Sequence, residues 1–172
     1  MPSYQVAGDV QQQRQALQKA LQAEPTAPDV AWQVANFYLV ENDPIRALPL
    51  FRTVIEKDPT KVEDAVQLCW QATNNIDAIL DQAVPAESSA YFTLMDLLIK
   101  NDEASPAAAV WTRLASLKQT FPAADAFPYF DYLLKRHATD SSVQVWQALV
   151  KRSGELANYG EPGNLIVDGD LN

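Results

Sequence analysis

Apolar residues recur at helical spacing through most of this chain. Val30, Val34, Phe37, Tyr38 and Leu39 mark one helix face, and Ala47, Leu48, Phe51, Val54 and Ile55 mark another. Steps of three and four residues keep most of each set on one side of an α-helix. Asn42-Asp43-Pro44 separates the two sets. Asp43 suits an N-cap, and Pro44 suits the first helical position. The pattern predicts one helix from Asp29, as N-cap, to Val40, and a second that ends before Asp58-Pro59. Pro49 falls inside the second, where its missing N–H and its ring predict a kink or a delayed start.

The same logic extends in both directions. Val10, Leu17, Ala20 and Leu21 form a narrow stripe on a leading helix from Asp9, as N-cap, to Ala23, which Pro25 stops. Residues 62–73 and 76–84 predict a helix and a short second one, closed by Pro85. Residues 87–121 and 125–152 then hold two further pairs, and these are repeats of each other. Positions 92–114 align with 127–149 without a gap at an offset of 35. Seven pairs are identical: Phe92/Phe127, Asp96/Asp131, Leu98/Leu133, Lys100/Lys135, Val110/Val145, Trp111/Trp146 and Leu114/Leu149. Most of these are apolar, so what recurs is a buried face that neighbouring repeats must cover. Four helix pairs and one leading helix give about nine helices in an all-α fold. Short turns force neighbours to run antiparallel.

Glycine placement sets the expected boundaries. The five glycines are Gly8, Gly154, Gly160, Gly163 and Gly169, so none interrupts residues 9–153. This predicts an N-terminal stub over 1–8, a helical repeat domain over 9–153, and a Gly/Pro-containing tail over 154–172. A length of 172 residues and a 48% hydrophobic fraction suffice for one sizeable core. The net charge of -9 argues against nucleic acid and anionic membrane as partners, since both reward clustered Lys and Arg. No apolar run reaches the roughly 20 residues that a membrane helix needs. Cys69 is the single cysteine, which excludes an intrachain disulfide and leaves the compartment open.

The pair over residues 28–61 resembles a tetratricopeptide repeat. Ala35 and Ala47 stand at the small positions of its two helices, A and B. Tyr38 stands at the late aromatic of helix A and Phe51 at the aromatic of helix B, with Val54 one turn on and Pro59 closing the unit. Phe51, Trp111 and Trp146 occupy equivalent places, as do Ala47 and Ala107. The departures are Ala31, where the family has a large residue, Trp32 after it, and Pro49. The resemblance covers about residues 10–152, closely in the first pair and loosely in the rest. It implies a right-handed solenoid of antiparallel helix pairs whose A helices line a concave groove. It places Trp32, Asn36, Leu39 and Val40 on the groove side. Tyr91, Met95 and Leu98 would match in the third pair, and Ala126, Phe130 and Leu133 in the fourth. Apolar residues on an A helix also serve as core, so both readings stand for each of these positions. The family's basic clamp for a C-terminal carboxylate is missing: Asn36 fits it, but Trp32 stands where a Lys would help. An acidic peptide tail is therefore not the expected ligand.

Catalytic chemistry finds no constellation here. His137, the only histidine, follows Lys135 and Arg136 at a helix end, where the helix dipole favours it. Cys69 lies in an apolar run between Leu68 and Trp70 and reads as a small hydrophobe without the partners a metal site needs. Glu63/Asp64 and Asp102/Glu103 are adjacent on helices or turns and point in different directions, so neither is a matched acid and base. Asp168, Asp170 and Asn172 open like a calcium loop, but the late bidentate carboxylate is missing. No catalytic residue, metal or cofactor is expected.

The expected function is a non-enzymatic scaffold that binds a peptide or helix of a protein partner in the A-helix groove. A competing expectation comes from the tail. Asn164–Asn172 resembles the opening strand of carbohydrate-binding jelly-roll modules, and a helical repeat before such a module resembles bacterial envelope proteins. On that reading the helices are a spacer before a glycan-binding β-sandwich, and the location is outside the cytoplasm. The sequence does not set the oligomeric state.

Overall fold

The structure, a computed structural model, describes residues 3–152, with side chains from residue 6 onward. The jelly-roll-like segment Asn164–Asn172 and the rest of the Gly/Pro-containing tail lie outside the described residues. Nine α-helices account for most of the described residues: α1 (Ser3–Ala23), α2 (Pro28–Val40), α3 (Pro44–Lys57), α4 (Val62–Thr73), α5 (Ile76–Gln82), α6 (Ser88–Lys100), α7 (Ala104–Ser116), α8 (Ala123–Lys135) and α9 (Thr139–Arg152). A 3-10 turn at Pro59–Lys61 joins α3 to α4. No strand occurs among the described residues. The chain forms two compact units, one ending at Arg113 and one beginning at Leu114, with α7 passing from the first to the second.

The turn chemistry explains how helices form pairs without glycine. Asn42, Asp102 and His137 each adopt a left-handed backbone, with φ near 56°, 58° and 57°. Each follows the last residues of an A helix and closes it by the same two bonds. Asp43 N–H donates to the Tyr38 carbonyl (2.8 Å) and Asn42 N–H to Leu39. Glu103 and Asp102 repeat this on Leu98 and Ile99, as do Ala138 and His137 on Leu133 and Leu134. This is the Schellman arrangement, which satisfies carbonyls that a helix end would otherwise leave bare. Asn and Asp tolerate the left-handed region better than most residues. Asp43 then starts the next helix by accepting from the Arg46 N–H at 3.2 Å. Asn74 and Asn75 divide the same work between α4 and α5: Asn74 is left-handed, and the Asn75 side chain accepts from the Ala78 N–H.

Several boundaries differ from the sequence reading. The first helix begins at Ser3, not at Asp9, and runs through Gly8. A glycine inside a helix costs only about 1 kcal/mol relative to alanine, too little to stop a helix of this length. The second helix begins at Pro28, so Asp29 lies inside its first turn, and the N-cap is Ala27. Pro49 neither delays nor ends α3. The carbonyl that loses its donor belongs to Ile45, an exposed residue, where water can replace the bond. The short helix α5 ends at Gln82, two residues early, because Ala83 and Val84 both donate back to the Ile79 carbonyl.

In the first unit α2 packs chiefly on α3, α3 on α4 and α4 on α6, while α1 packs on α2. Its core holds Ala31, Val34, Ala35, Phe37, Tyr38, Ala47, Leu48, Phe51, Val54, Val66, Cys69, Ile79, Leu94 and Leu98. Ion pairs on its surface tie elements about one repeat apart: Lys61 to Asp29 at 2.8 Å, Lys100 to Glu63 at 3.5 Å and Arg113 to Asp81 at 2.7 Å. In the second unit α8 packs on α9 around Leu114, Tyr129, Leu133, Val145 and Leu149. There the Arg152 guanidinium donates to the Ala115 carbonyl.

The repeat is visible in the helix starts. The helices α6 and α8 begin 35 residues apart, at Ser88 and Ala123, and α7 and α9 keep the same spacing, at Ala104 and Thr139. The small position of the B helices, filled by Ala47 and Ala107, is filled in α9 by Ser142. Ser142 is buried, and its hydroxyl donates to the Thr139 carbonyl at 2.8 Å. A hydroxyl that bonds its own helix can stand in for a methyl at such a site.

Candidate binding cleft

An open cleft of about 450 Å³ lies between α1 and α2. Val10, Gln13 and Leu17 of α1 form one wall. Trp32, Gln33, Asn36, Phe37 and Val40 of α2, with Glu41 just after it, form the other. Three of the expected groove residues, Trp32, Asn36 and Val40, therefore share one surface. Val40 is 85% exposed, unusually open for a valine. Leu39 is half-buried and lies outside the cleft lining.

The floor is held rigidly. The Trp32 ring meets Phe51 edge to face, with centroids 5.7 Å apart at 80°. Phe51 is fully buried, so the indole is anchored to the core. Lys61 Nζ stands 5.5 Å from the Trp32 ring centroid and is itself held by Asp29. That hydrogen bond raises the Lys61 pKa above its usual value, with the charges of Asp29 and Asp58 adding to it. The Thr60 hydroxyl bond to Asp58, at 2.6 Å, lowers that carboxyl in turn. Asn36 donates its amide to the Trp32 carbonyl at 2.8 Å, which fixes its orientation in the wall. At the far end Arg14 bridges the two helices. Its guanidinium meets Glu41 at 2.6 Å and lies 5.9 Å from the Phe37 ring centroid.

Most of the other expected groove residues belong to the interior. Tyr91, Met95 and Leu98 are buried in α6, and Leu133 is buried in α8, as is Ala126. Phe130 is half-buried against Trp146, with centroids 5.8 Å apart. The cause is a slip of one residue in register. The helices α2, α6 and α8 all have 13 residues, opening at Pro28, Ser88 and Ala123. Trp32, Asn36 and Leu39 therefore correspond to Phe92, Asp96 and Ile99, and to Phe127, Asp131 and Leu134. Tyr91, Met95 and Leu98 correspond to Ala31, Ala35 and Tyr38, which are buried in α2 as well. One residue turns a side chain by about 100° around a helix, enough to move it from surface to core. At the register of Trp32 and Leu39, α8 instead presents Phe127 and Leu134, both exposed. Counting from the left-handed turn residue, instead of from the apolar pattern, would have found them.

The chemically reactive side chains stand apart from the cleft. Burial pushes the Cys69 thiol up to about 12, which leaves it a protonated, unreactive core group. Burial likewise raises the hydroxyls of Tyr91 and Tyr129. His137 is exposed and serves the left-handed turn after α8. Among the described residues no three His, Cys, Asp or Glu side chains gather as a metal would require. Nor is any described helix long and apolar enough to cross a membrane. No protein-family model matches the chain, and no curated protein matches it.

Proposed function

We propose that the chain is a non-enzymatic scaffold of tetratricopeptide type that binds a peptide or helix of a protein partner on the α2 face. One observation carries this reading: an open cleft coincides with the A-helix surface that the family resemblance assigns to partners. Its wall combines an anchored Trp32, an uncovered Val40 and the amides of Gln33 and Asn36. Apolar contacts flanked by amide donors and acceptors suit a peptide, which offers both side chains and backbone. The chain's charge of -9 favours a partner segment with basic residues.

Affinity capture tests the reading, with the full chain compared against Gln33→Arg and Val40→Asp. Both positions are exposed, so the variants keep the core. Loss of a captured partner in both variants supports the cleft. Equal recovery of every partner by folded variants overturns it.

A further inference from the structure

Helix α1 differs from every other long helix in the first unit. From Val6 to Ala23 it contributes no buried residue. Its half-buried residues include Val10, Arg14, Leu17 and Leu21, spaced by four, three and four along one face. The intervening Gln11, Gln12, Gln15 and Gln18 are exposed. Its main packing partner is α2. The ion pair that ties it to α2, Arg14 to Glu41, is partly open to solvent. Such pairs add little to stability. Glu41 also closes the carboxyl end of α2, where the helix dipole adds negative charge, so this end of the cleft selects a cation.

We infer that α1 is a resident stand-in for the partner: the segment bound on α2 is an amphipathic helix with apolar residues at the Val10, Leu17 and Leu21 positions and a cation at the Arg14 position. This rests on the scaffold reading above and gives it a partner chemistry and a means of control. Helix α1 can leave without uncovering a buried side chain of its own, and it leaves behind Phe37, Trp32 and Glu41. A guest helix of the same pattern repeats each contact. Tethered by residues 24–27, α1 competes at an effective concentration on the order of millimolar, so it sets the threshold a guest must exceed.

A labelled peptide copying residues 3–23 tests this by fluorescence anisotropy against the full chain. A double variant, Arg14→Glu with Leu17→Asp, loosens the resident helix. The peptide is expected to bind that variant at least about tenfold more tightly than the wild type, because the competing helix is gone. Arg14→Ala alone should give a smaller gain in the same direction. Equal affinity for all chains, or no binding to any, overturns the inference. Glu41→Ala added to the loosened chain should weaken the peptide about threefold, by removing the carboxylate that its arginine meets; no change would remove this end of α2 as the site. Absent peptide binding beside a Val40-dependent capture overturns the stand-in role while the cleft reading stands. Peptide binding beside capture indifferent to Val40 overturns the scaffold reading instead. Wild-type dimers that Arg14→Glu abolishes would assign the α2 face to α1 of a second copy and overturn the separate partner.

Discussion

Helices α1 and α2 lie side by side and are built to opposite requirements. The helix α2 buries Ala31, Val34, Ala35, Phe37 and Tyr38 within 13 residues. The helix α1 is longer, at 21 residues, and buries nothing between Val6 and Ala23. A helix inside a stack must cover two neighbours, so α2 is apolar around much of its circumference. The helix α1 has one main neighbour, so a single stripe suffices and glutamine fills the rest. The difference separates two tasks. The α2–α3 pair holds the core, and α1 rests against it by one half-buried stripe.

The largest expected effect would break this comparison if it failed. Phe51 is fully buried beneath Trp32. Phe51→Ala should cost about 3–5 kcal/mol, through lost transfer energy and the cavity left behind. Leu17→Ala on α1 should cost less, about 1–2 kcal/mol, since its side chain is only half-buried and leaves no closed cavity. Urea denaturation of both variants measures the ratio. Equal losses would mean that α1 is as integral as α2.

Alkaline pH probes the interior helices next. Cys69 in α4 has its thiol raised from 9.0 to about 12 by burial. Below pH 9 both folded and unfolded chains keep that proton. Above it the unfolded chain releases the proton while the folded chain retains it, so stability falls as pH rises from about 9 towards 12. The slope for one such group is at most about 1.4 kcal/mol per pH unit. The raised hydroxyls of Tyr91 and Tyr129 act in the same direction at the upper end of that range. Thermal midpoints from pH 8 to 11 should fall steadily, and Cys69→Ala should flatten the fall. An unchanged slope in that variant would show that the thiol is accessible to water.

These contrasts also show what the sequence carried. Helix pairing was legible because apolar spacing, Asp43 and Pro44 agreed with one another. The 35-residue repeat was legible because identical residues such as Leu98/Leu133 and Val110/Val145 are buried in both copies. The expected groove residues share an open surface only in α2. In α6 and α8 apolar residues lie on several sides, so periodicity alone could not tell Tyr91 from Phe92. Identity did not settle exposure either: Phe92 is 9% exposed and Phe127 is 42% exposed at the same register. The cleft itself depends on how α1 meets α2, a tertiary fact with no local signature.

The capping residues give a smaller test. Asp43 accepts from the Arg46 N–H and also lies in an ion pair with Arg46 at 3.2 Å. Asp43→Ala should destabilise by about 1 kcal/mol, the usual cost of an N-cap. The α8–α9 junction has Ala138 at the corresponding place, so no side-chain acceptor caps α9 there. Ala138→Asp should recover a similar amount in that pair. Hydrogen exchange at the first turns of α3 and α9 would report each change locally. A loss at α3 without a gain at α9 would show that the two junctions are not equivalent.

The smallest effect concerns the left-handed turn residues. Asn42, Asp102 and His137 share one backbone conformation, but only the first two belong to residue types that tolerate it through short polar side chains. His137 is exposed, so replacing it removes little packing. Glycine would relieve the contact between Cβ and the following carbonyl, at the cost of a freer unfolded chain. His137→Gly should therefore stabilise by about 0.5 kcal/mol. Asn42→Gly should give less, because asparagine already fits. His137→Val should destabilise, since a β-branched residue is poorly suited to positive φ. Chemical denaturation of the three variants orders them. A destabilising His137→Gly would mean that the imidazole makes a contact beyond its backbone role, and would reopen the only histidine as a functional residue.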